Sequence, residues 1–332
     1  MSRIGILGAG AWGTALAISL ARRGGHKIAL WSYSAKLAEQ MTETGENVLF
    51  LPGYTVPMDV LVTSDLPAAV FEADIVLCVT PSEHMRSVFG QIAPLLTRGQ
   101  IVVSATKGLE EPSLLRMSQV IASLTGNPCG VLSGPSFAQE VAAGIPTAIV
   151  AASASPAVAL TIQKEFSSST LRLYTNDDVA GVELGGALKN VIALAAGVVN
   201  GLDLGYNAGA ALITRGIAEI TRLAVACGGR RQTLAGLSGV GDLVLTCTGA
   251  LSRNRSVGVE LGKGRKLPEI LAGMNGKVAE GIFSTAAALG LAARYEVEMP
   301  IAQQMDAVLH HDKSPREAIR ELMARPGRDE QG

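Results

Sequence analysis

The chain has 332 residues, 48% of them hydrophobic. That exceeds the size at which a single core stops growing, so two domains are expected. Its 28 Lys and Arg against 29 Asp and Glu leave no basic excess for a nucleic-acid partner. Only 4% of the residues are aromatic while 38 are glycine, a balance that suits an α/β enzyme with close backbone approaches better than a β-sandwich.

In chain order, the first half alternates strand and helix signals. Short β runs are predicted at Ile4–Leu7, Lys27–Trp31, Asp74–Val79, Gln100–Ser104, Gly130–Leu132 and Thr147–Ala151, with helices between several of them, as at Trp12–Arg23 and Leu114–Leu124. Such alternation implies a parallel, doubly wound sheet of Rossmann type with right-handed crossovers. The start at Arg3-Ile4-Gly5-Ile6 carries no long apolar stretch of a leader. Between Glu140 and Lys164 no residue is charged, but Gly144, Pro146 and Pro156 interrupt the run. It reads as a buried strand at Thr147–Ala152 followed by a helix from Pro156, and no membrane span is expected.

From about Asp178 the pattern becomes helical throughout, at Asp178–Leu202, Ala208–Cys227 and Ser284–Arg294. A last helix is announced by Ser314-Pro315-Arg316-Glu317, an N-cap serine with a glutamate placed for a capping box. Arg325 to Gly332 reads as a polar tail. The division is expected near 178–186, with an α/β dinucleotide-binding domain over 1–180 and an all-α substrate-binding domain over 181–332.

Gly8-Ala9-Gly10-Ala11-Trp12-Gly13 follows the first strand and opens a helix. Gly8 permits a tight turn, Gly10 lets backbone approach a pyrophosphate, and Gly13 lets helix and strand pack closely. In this βαβ context the GxGxxG spacing points to a nicotinamide dinucleotide. An acid that would hold the ribose of NAD is absent from the end of the second strand, which reads Trp31-Ser32-Tyr33-Ser34. No arginine stands there for a 2′-phosphate either. Ser32, Ser34 and Lys36 either grip such a phosphate or are solvated loop residues, so both NADH and NADPH stay open, with a lean to NADPH.

Reduction of a ketone by hydride leaves an alkoxide that must be protonated, and a lysine of lowered pKa can serve. Lys189 lies in the apolar stretch Leu184–Leu202, with Glu183 as the only acid nearby. On the residues alone it reads equally as a lysine snorkelling from an amphipathic helix. Lys107 follows a strand, where parallel sheets bind ligands, and a cation there can polarise a carbonyl or touch the substrate; the other reading is an ordinary loop lysine. Gly134-Pro135-Ser136 is by itself only a turn signal. Ser252-Arg253-Asn254 reads as a polar loop with Thr246, Thr248 and Arg255, and its arginine fork suits a phosphate. No histidine (His26, His84, His310, His311) has metal-ligand spacing, and the four cysteines (Cys78, Cys129, Cys227, Cys247) form no CxxC pair, so no metal site is expected and nothing requires an oxidising compartment.

Several spaced motifs together carry a more specific reading: GAGAWGTA at Gly8–Ala15, ENVLFLPG at Glu46–Gly53, VTPSEHMR at Val79–Arg86, ATKGL at Ala105–Leu109, SGPSFA at Ser133–Ala138, LKNVI at Leu188–Ile192, GVGDL at Gly239–Leu243, TCTGALSRNR at Thr246–Arg255 and AEG at Ala279–Gly281. With them the whole chain resembles the bacterial biosynthetic NAD(P)-dependent glycerol-3-phosphate dehydrogenases. The resemblance implies reduction of dihydroxyacetone phosphate to sn-glycerol 3-phosphate for phospholipid synthesis, in the cytoplasm, by a homodimer. It implies that Lys189 is the general acid/base with Lys107 and Asp242 beside it. It implies substrate contacts from Lys107, Gly134, Ser136, Lys189, Asn190, Asp242, Ser252, Arg253 and Asn254. Cofactor contacts are implied for Gly8, Gly10, Ala11, Trp12, Gly13, Ser32, Tyr33, Phe50, Lys107, Ala138, Arg253, Val278 and Glu280. Glu280 also reads as a solvated acid at a helix start. Two other readings stand beside this one: a related β-hydroxyacid dehydrogenase, and a dinucleotide-binding sensor without turnover.

Overall fold

The computed structural model describes residues 1–274, 279–327 and 329–330. Among the described residues there are ten strands: β1 (Ser2–Leu7), β2 (His26–Trp31), β3 (Glu46–Asn47), β4 (Leu51–Thr55), β5 (Val60–Thr63), β6 (Ile75–Cys78), β7 (Ile101–Ser104), β8 (Cys129–Ser133), β9 (Thr147–Ala152) and β10 (Leu171–Asn176). Helices α1 (Ala11–Arg23), α2 (Ala35–Thr44), α3 (Leu66–Val70), α4 (Ser82–Ile92), α5 (Met117–Leu124), α6 (Ala138–Ala143) and α7 (Pro156–Phe166) lie between them. The second half is helical among its described residues: α8 (Val179–Gly201), α9 (Gly205–Ala226), α10 (Arg231–Leu234), α11 (Asp242–Thr248), α12 (Arg253–Gly262), α13 (Leu267–Ala272), α14 (Gly281–Arg294), α15 (Pro300–His310) and α16 (Pro315–Met323).

Eight strands form one sheet in the order β10-β9-β8-β7-β6-β1-β2-β5, and β3 pairs with β4 as a separate hairpin. Both faces of the sheet are covered, as its apolar strands require. Ile4, Ile6, Leu77 and Val103 point into one core, while Leu7, Val76, Cys78 and Val102 point into the other. The chain runs from β1 outward through β2 to β5, then returns to β6 on the other side of β1. A crevice therefore opens beyond the carboxyl ends of β1 and β6, where such sheets bind ligands.

One pairing departs from the parallel expectation: β9 runs antiparallel to β8. The connection between them holds only α6, of six residues. Such a helix rises about 9 Å, too little to carry the chain back along a five-residue strand of about 16 Å. β9 therefore starts where β8 stops. β10 lies parallel to β9, and so α8 begins at the far end of the sheet from the crevice.

From there α8 climbs back across β8. Asp178 caps it by accepting from the Gly181 N–H at 2.8 Å, and Val182 packs with Val131, Val150 and Ala152. A Cβ on Gly186 would lie 2.5 Å from Ser133 Oγ, so helix and strand approach to backbone contact. Lys189, less than one turn further on, then stands beyond the end of β8. Glu183 holds the approach from the side, accepting from Ser118 N at 2.8 Å and from Arg116 Nη1 at 2.5 Å on α5. This helix is long and apolar enough to cross a membrane, yet its whole apolar window is buried inside the protein, beneath α9, α11, α12 and α14.

Glycines set the neighbour of α8. A Cβ on Gly258 would lie 2.0 Å from Leu194 O, one on Gly197 2.1 Å from Arg255 O, and one on Gly262 2.6 Å from Val198 O. Contacts that advance by the same step on both helices make α12 run parallel to α8, with Asn254 beside Asn190.

Several expected details differ. The helix read from Leu114 begins at Met117. Thr246 and Thr248 lie in α11, not in a loop, and bond back to the carbonyls of Asp242 and Val244. Arg253 and Asn254 likewise open α12. Ser314 and Pro315 start α16, but the capping box is not made: Glu317 faces Arg320 at 3.5 Å instead.

The α8–α12 contact predicts that Gly197→Ala loses about 1–3 kcal/mol by overpacking, read as a lower denaturant midpoint. Gly90→Ala in α4, where a Cβ meets nothing within 4 Å, should leave the midpoint unchanged or raise it.

Candidate active site

Gly8 leaves β1 at φ +124°, and a Cβ there would lie 2.8 Å from Val79 O at the end of β6. Gly13 brings α1 onto the turn, since its Cβ would lie 1.9 Å from Gly8 O. At Gly10 a Cβ would meet nothing within 4 Å. The first turn of α1 has no side-chain cap and no acid, so its N–H groups are available to an anion. An open cradle before an uncapped, 13-residue helix fits the pyrophosphate of a dinucleotide. Ala11, Trp12 and Ala138 pack against one core cluster, and α6 lies against α1.

Asn47 supports this turn from the hairpin. It is fully buried, donates from Nδ2 to Ala9 O and to Thr14 Oγ1, both at 2.8 Å, and accepts from Phe50 N at 3.1 Å. Sequence reasoning singled out Phe50 in that motif and passed over Asn47. The only local sign was a polar residue ahead of three apolar ones. Phe50 is 37% exposed on the hairpin loop.

At the end of β2 the serine hydroxyls are committed to the chain. Ser32 is buried and donates to Ser34 O at 3.0 Å; Ser34 Oγ accepts from Leu37 N at 3.2 Å and caps α2. Tyr33 is 89% exposed, edge-on to Trp31, and Lys36 is exposed in the first turn of α2. Val278 lies outside the described residues.

The ionisable cluster is assembled from both halves of the molecule. A π-helical turn over Leu237–Gly241 delivers Asp242 as the first residue of α11, a distortion that recurs at functional sites. Asp242 is fully buried. One of its oxygens accepts from Lys107 Nζ at 2.7 Å and the other from Lys189 Nζ. Lys107 also donates to Gly134 O at 3.1 Å, as does Ser136 Oγ at 3.0 Å. Burial pushes the Lys189 pKa down from 10.5 to about 8, with Asp242 opposing the fall and Lys107 adding to it. Next to Lys189, Asn190 donates to Glu280 Oε2 at 3.3 Å. Burial pushes the Glu280 carboxyl up, against the pull of Arg253, Lys107 and Lys189.

Asn254 Oδ1 accepts from Gly281 N at 2.9 Å, which fixes its amide and leaves its own N–H groups for a ligand. Ser252 caps α12 by accepting from Arg255 N at 3.2 Å, so its hydroxyl retains only its proton to give. Arg253 is exposed and forms no ion pair among the described residues. Within them no group of His, Cys, Asp and Glu is arranged to hold a metal.

A glycine-turn sheet at a topological switch point, joined to a helical half that sets a buried lysine at the same edge, defines the class of two-domain nicotinamide-dependent dehydrogenases. Comparison with known proteins narrows this. The profile described as NAD-dependent glycerol-3-phosphate dehydrogenase N-terminus matches residues 3–159, and that described as the C-terminus of the same enzyme matches 178–320. Glycerol-3-phosphate dehydrogenase [NAD(P)+] of Acidobacterium capsulatum is 62% identical over 99% of this chain and 100% of its own length. That of Koribacter versatilis is 58% identical over 99% of each. The crystal structure of glycerol-3-phosphate dehydrogenase from Coxiella burnetii superposes with a TM-score of 0.94 at 42% identity, covering 98% of this chain and 99% of that one. The chain belongs to the NAD-dependent glycerol-3-phosphate dehydrogenase family.

The depressed Lys189 fixes a pH dependence. A proton donor to a ketone must be in its ammonium form, so with Lys189 in that role kcat/KM for reduction should fall as pH rises through about 8, where an exposed lysine would hold its proton to about 10. A lysine whose folded pKa lies below its unfolded one costs stability while protonated, and that cost is withdrawn between pH 8 and 10.5. Lys189→Met should lose roughly 10²–10⁴-fold in turnover. A near-normal rate in this variant would remove Lys189 from the proton transfer.

Proposed function

We propose that the protein reduces dihydroxyacetone phosphate to sn-glycerol 3-phosphate, reversibly, with NADPH or NADH, and so supplies glycerophospholipid synthesis. The observation that carries this reading is the single buried carboxylate of Asp242 bridging Lys107 and Lys189 on the edge of the sheet that also holds the glycine turn. A bound dinucleotide would supply the hydride to the carbonyl carbon, leaving the carbonyl oxygen as an alkoxide. Lys189 gives its proton to the alkoxide oxygen and becomes neutral, a form its burial already favours. Asp242 holds that amine in place during the transfer, and Lys107, tied to Asp242 and Gly134, draws electron density from the carbonyl oxygen.

Arg253, free of ion pairs among the described residues and carried by α12 to the side of Lys189, takes the substrate phosphate, with Asn254 and Ser252 donating beside it. Gly134 and Ser136 line the ketone's other flank, and Asn190 meets the glycerol hydroxyls. Gly8, Gly10, Ala11, Trp12 and Gly13 hold the pyrophosphate. Ser32, Tyr33 and Phe50 border the adenosine end, Lys107, Arg253, Ala138 and Glu280 the nicotinamide end, and Val278 is read as a cofactor contact with them. With no acid after β2, NADPH is accepted and preferred; the Ser32 hydroxyl is spent on Ser34, so the Ser34 proton and Lys36 are left to meet its 2′-phosphate.

The two domains divide at 180/181, where Asp178 caps α8. A homodimer is supported by apolar side chains left exposed on the helical half, among them Tyr206, Phe283, Leu251 and Leu204. Four free thiols suit a reducing cytoplasm.

The test is loss of NADPH, and separately NADH, absorbance with dihydroxyacetone phosphate, with dihydroxyacetone as the phosphate-free control. Turnover confined to the phosphorylated ketone is expected, faster with NADPH. Turnover of phosphate-free hydroxyacids instead would make the protein a β-hydroxyacid dehydrogenase, and tight cofactor binding with no turnover would make it a sensor.

A further inference from the structure

We propose that Asn47 is a positioning residue of the dinucleotide site, locking the apolar hairpin loop to the glycine turn so that both present one prebuilt surface to the cofactor. The inference rests on the dinucleotide reading above and on nothing in the ketone pocket. Asn47 lies on β3, in a two-strand hairpin outside the main sheet, yet its amide is spent on the phosphate-binding turn. Nδ2 donates both hydrogens, one to the carbonyl of Ala9, between the first two glycines, and one to Thr14 Oγ1, on the first turn of α1. Its Oδ1 accepts from Phe50 N. Ala9 C=O can only accept and Phe50 N–H can only donate, so the amide has one possible orientation. All three partners are held by a side chain that is itself fully buried.

The residues this amide restrains on the other side are Val48, Leu49 and Phe50, exposed by 51%, 50% and 37%. Three apolar side chains left in water beside an open phosphate cradle form a wall that a flat, largely apolar ring system would cover. Without Asn47 the turn and the wall would each be ordered only on binding, and that ordering would be charged against cofactor affinity. The ketone site, built from Lys107, Lys189, Asp242 and Arg253, receives no bond from Asn47, so the effect should be confined to the cofactor.

Asn47→Ala should raise the calorimetric Kd and the KM for NADPH roughly tenfold or more, the cost of ordering the turn and the loop on binding. The KM for dihydroxyacetone phosphate and kcat at saturating NADPH should stay within about twofold. Asn47→Asp keeps the bond from Phe50 and loses both donors while ionised; protonation returns one O–H. Its NADPH affinity should therefore recover as pH falls, while that of Asn47→Ala should not. An unchanged Kd in a folded variant, an equal rise in both KM values, or no recovery of Asn47→Asp at low pH would overturn the proposal. So would failure of both variants to fold, which would make Asn47 a determinant of the whole fold. Parent protein that fails to bind NADPH would instead remove the dinucleotide reading itself.

Discussion

Everything at the active site depends on one carboxylate that water does not reach. Asp242 comes from the helical half, Lys107 from the end of a strand in the sheet half, and Lys189 from the helix that joins them. A buried anion without partners would cost several kcal/mol, so the carboxylate binds the two halves wherever they meet. One anion between two lysines cannot fully satisfy both charges. Lys189 is the more deeply buried of the pair, and burial draws its pKa down, with Lys107 adding to the fall and Asp242 opposing it.

The distances in that cluster follow from backbone contact. A helix can bring a lysine over a strand end only if it lies close to the strand, and Gly186 allows that approach to Ser133. A parallel helix can bring an arginine beside the lysine only if the two axes nearly touch, which Gly197 and Gly258 allow. Side chains at these positions would fill space and contribute apolar burial, but would push the charged groups apart. Stability has been exchanged for proximity, as functional sites commonly require.

Much of this was legible in the sequence. Strands β1, β2, β6 and β7 read clearly because burial on both faces leaves an uninterrupted apolar run. The glycine turn was legible because each glycine answers a separate steric demand. Lys189 stood out as a charge inside an apolar helix. What could not be read was set by geometry between distant residues. Asp242 meets partners 53 and 135 positions away, and no local pattern records such a meeting. The antiparallel β9 follows from the shortness of α6, not from any residue in β9. Ser32 read as a candidate ligand for phosphate because hydroxyls near strand ends often are, but its oxygen closes a turn on Ser34. Asn47 was hidden for the same reason as Asp242: its partners lie 33 and 38 residues back along the chain.

The burial of α8 also has a consequence for how the chain is made. Its shelter consists of α9, α11, α12 and α14, all of which leave the ribosome after it. During synthesis the finished sheet can cover only the side of α8 that crosses β8, around Val182 and Gly186. For the time taken to translate the residues from α9 to α14, the remaining faces of a largely apolar helix stay wet and adhesive. This helix is therefore a segment that a chaperone would shield, and a premature stop in the helical half would release a chain prone to aggregate.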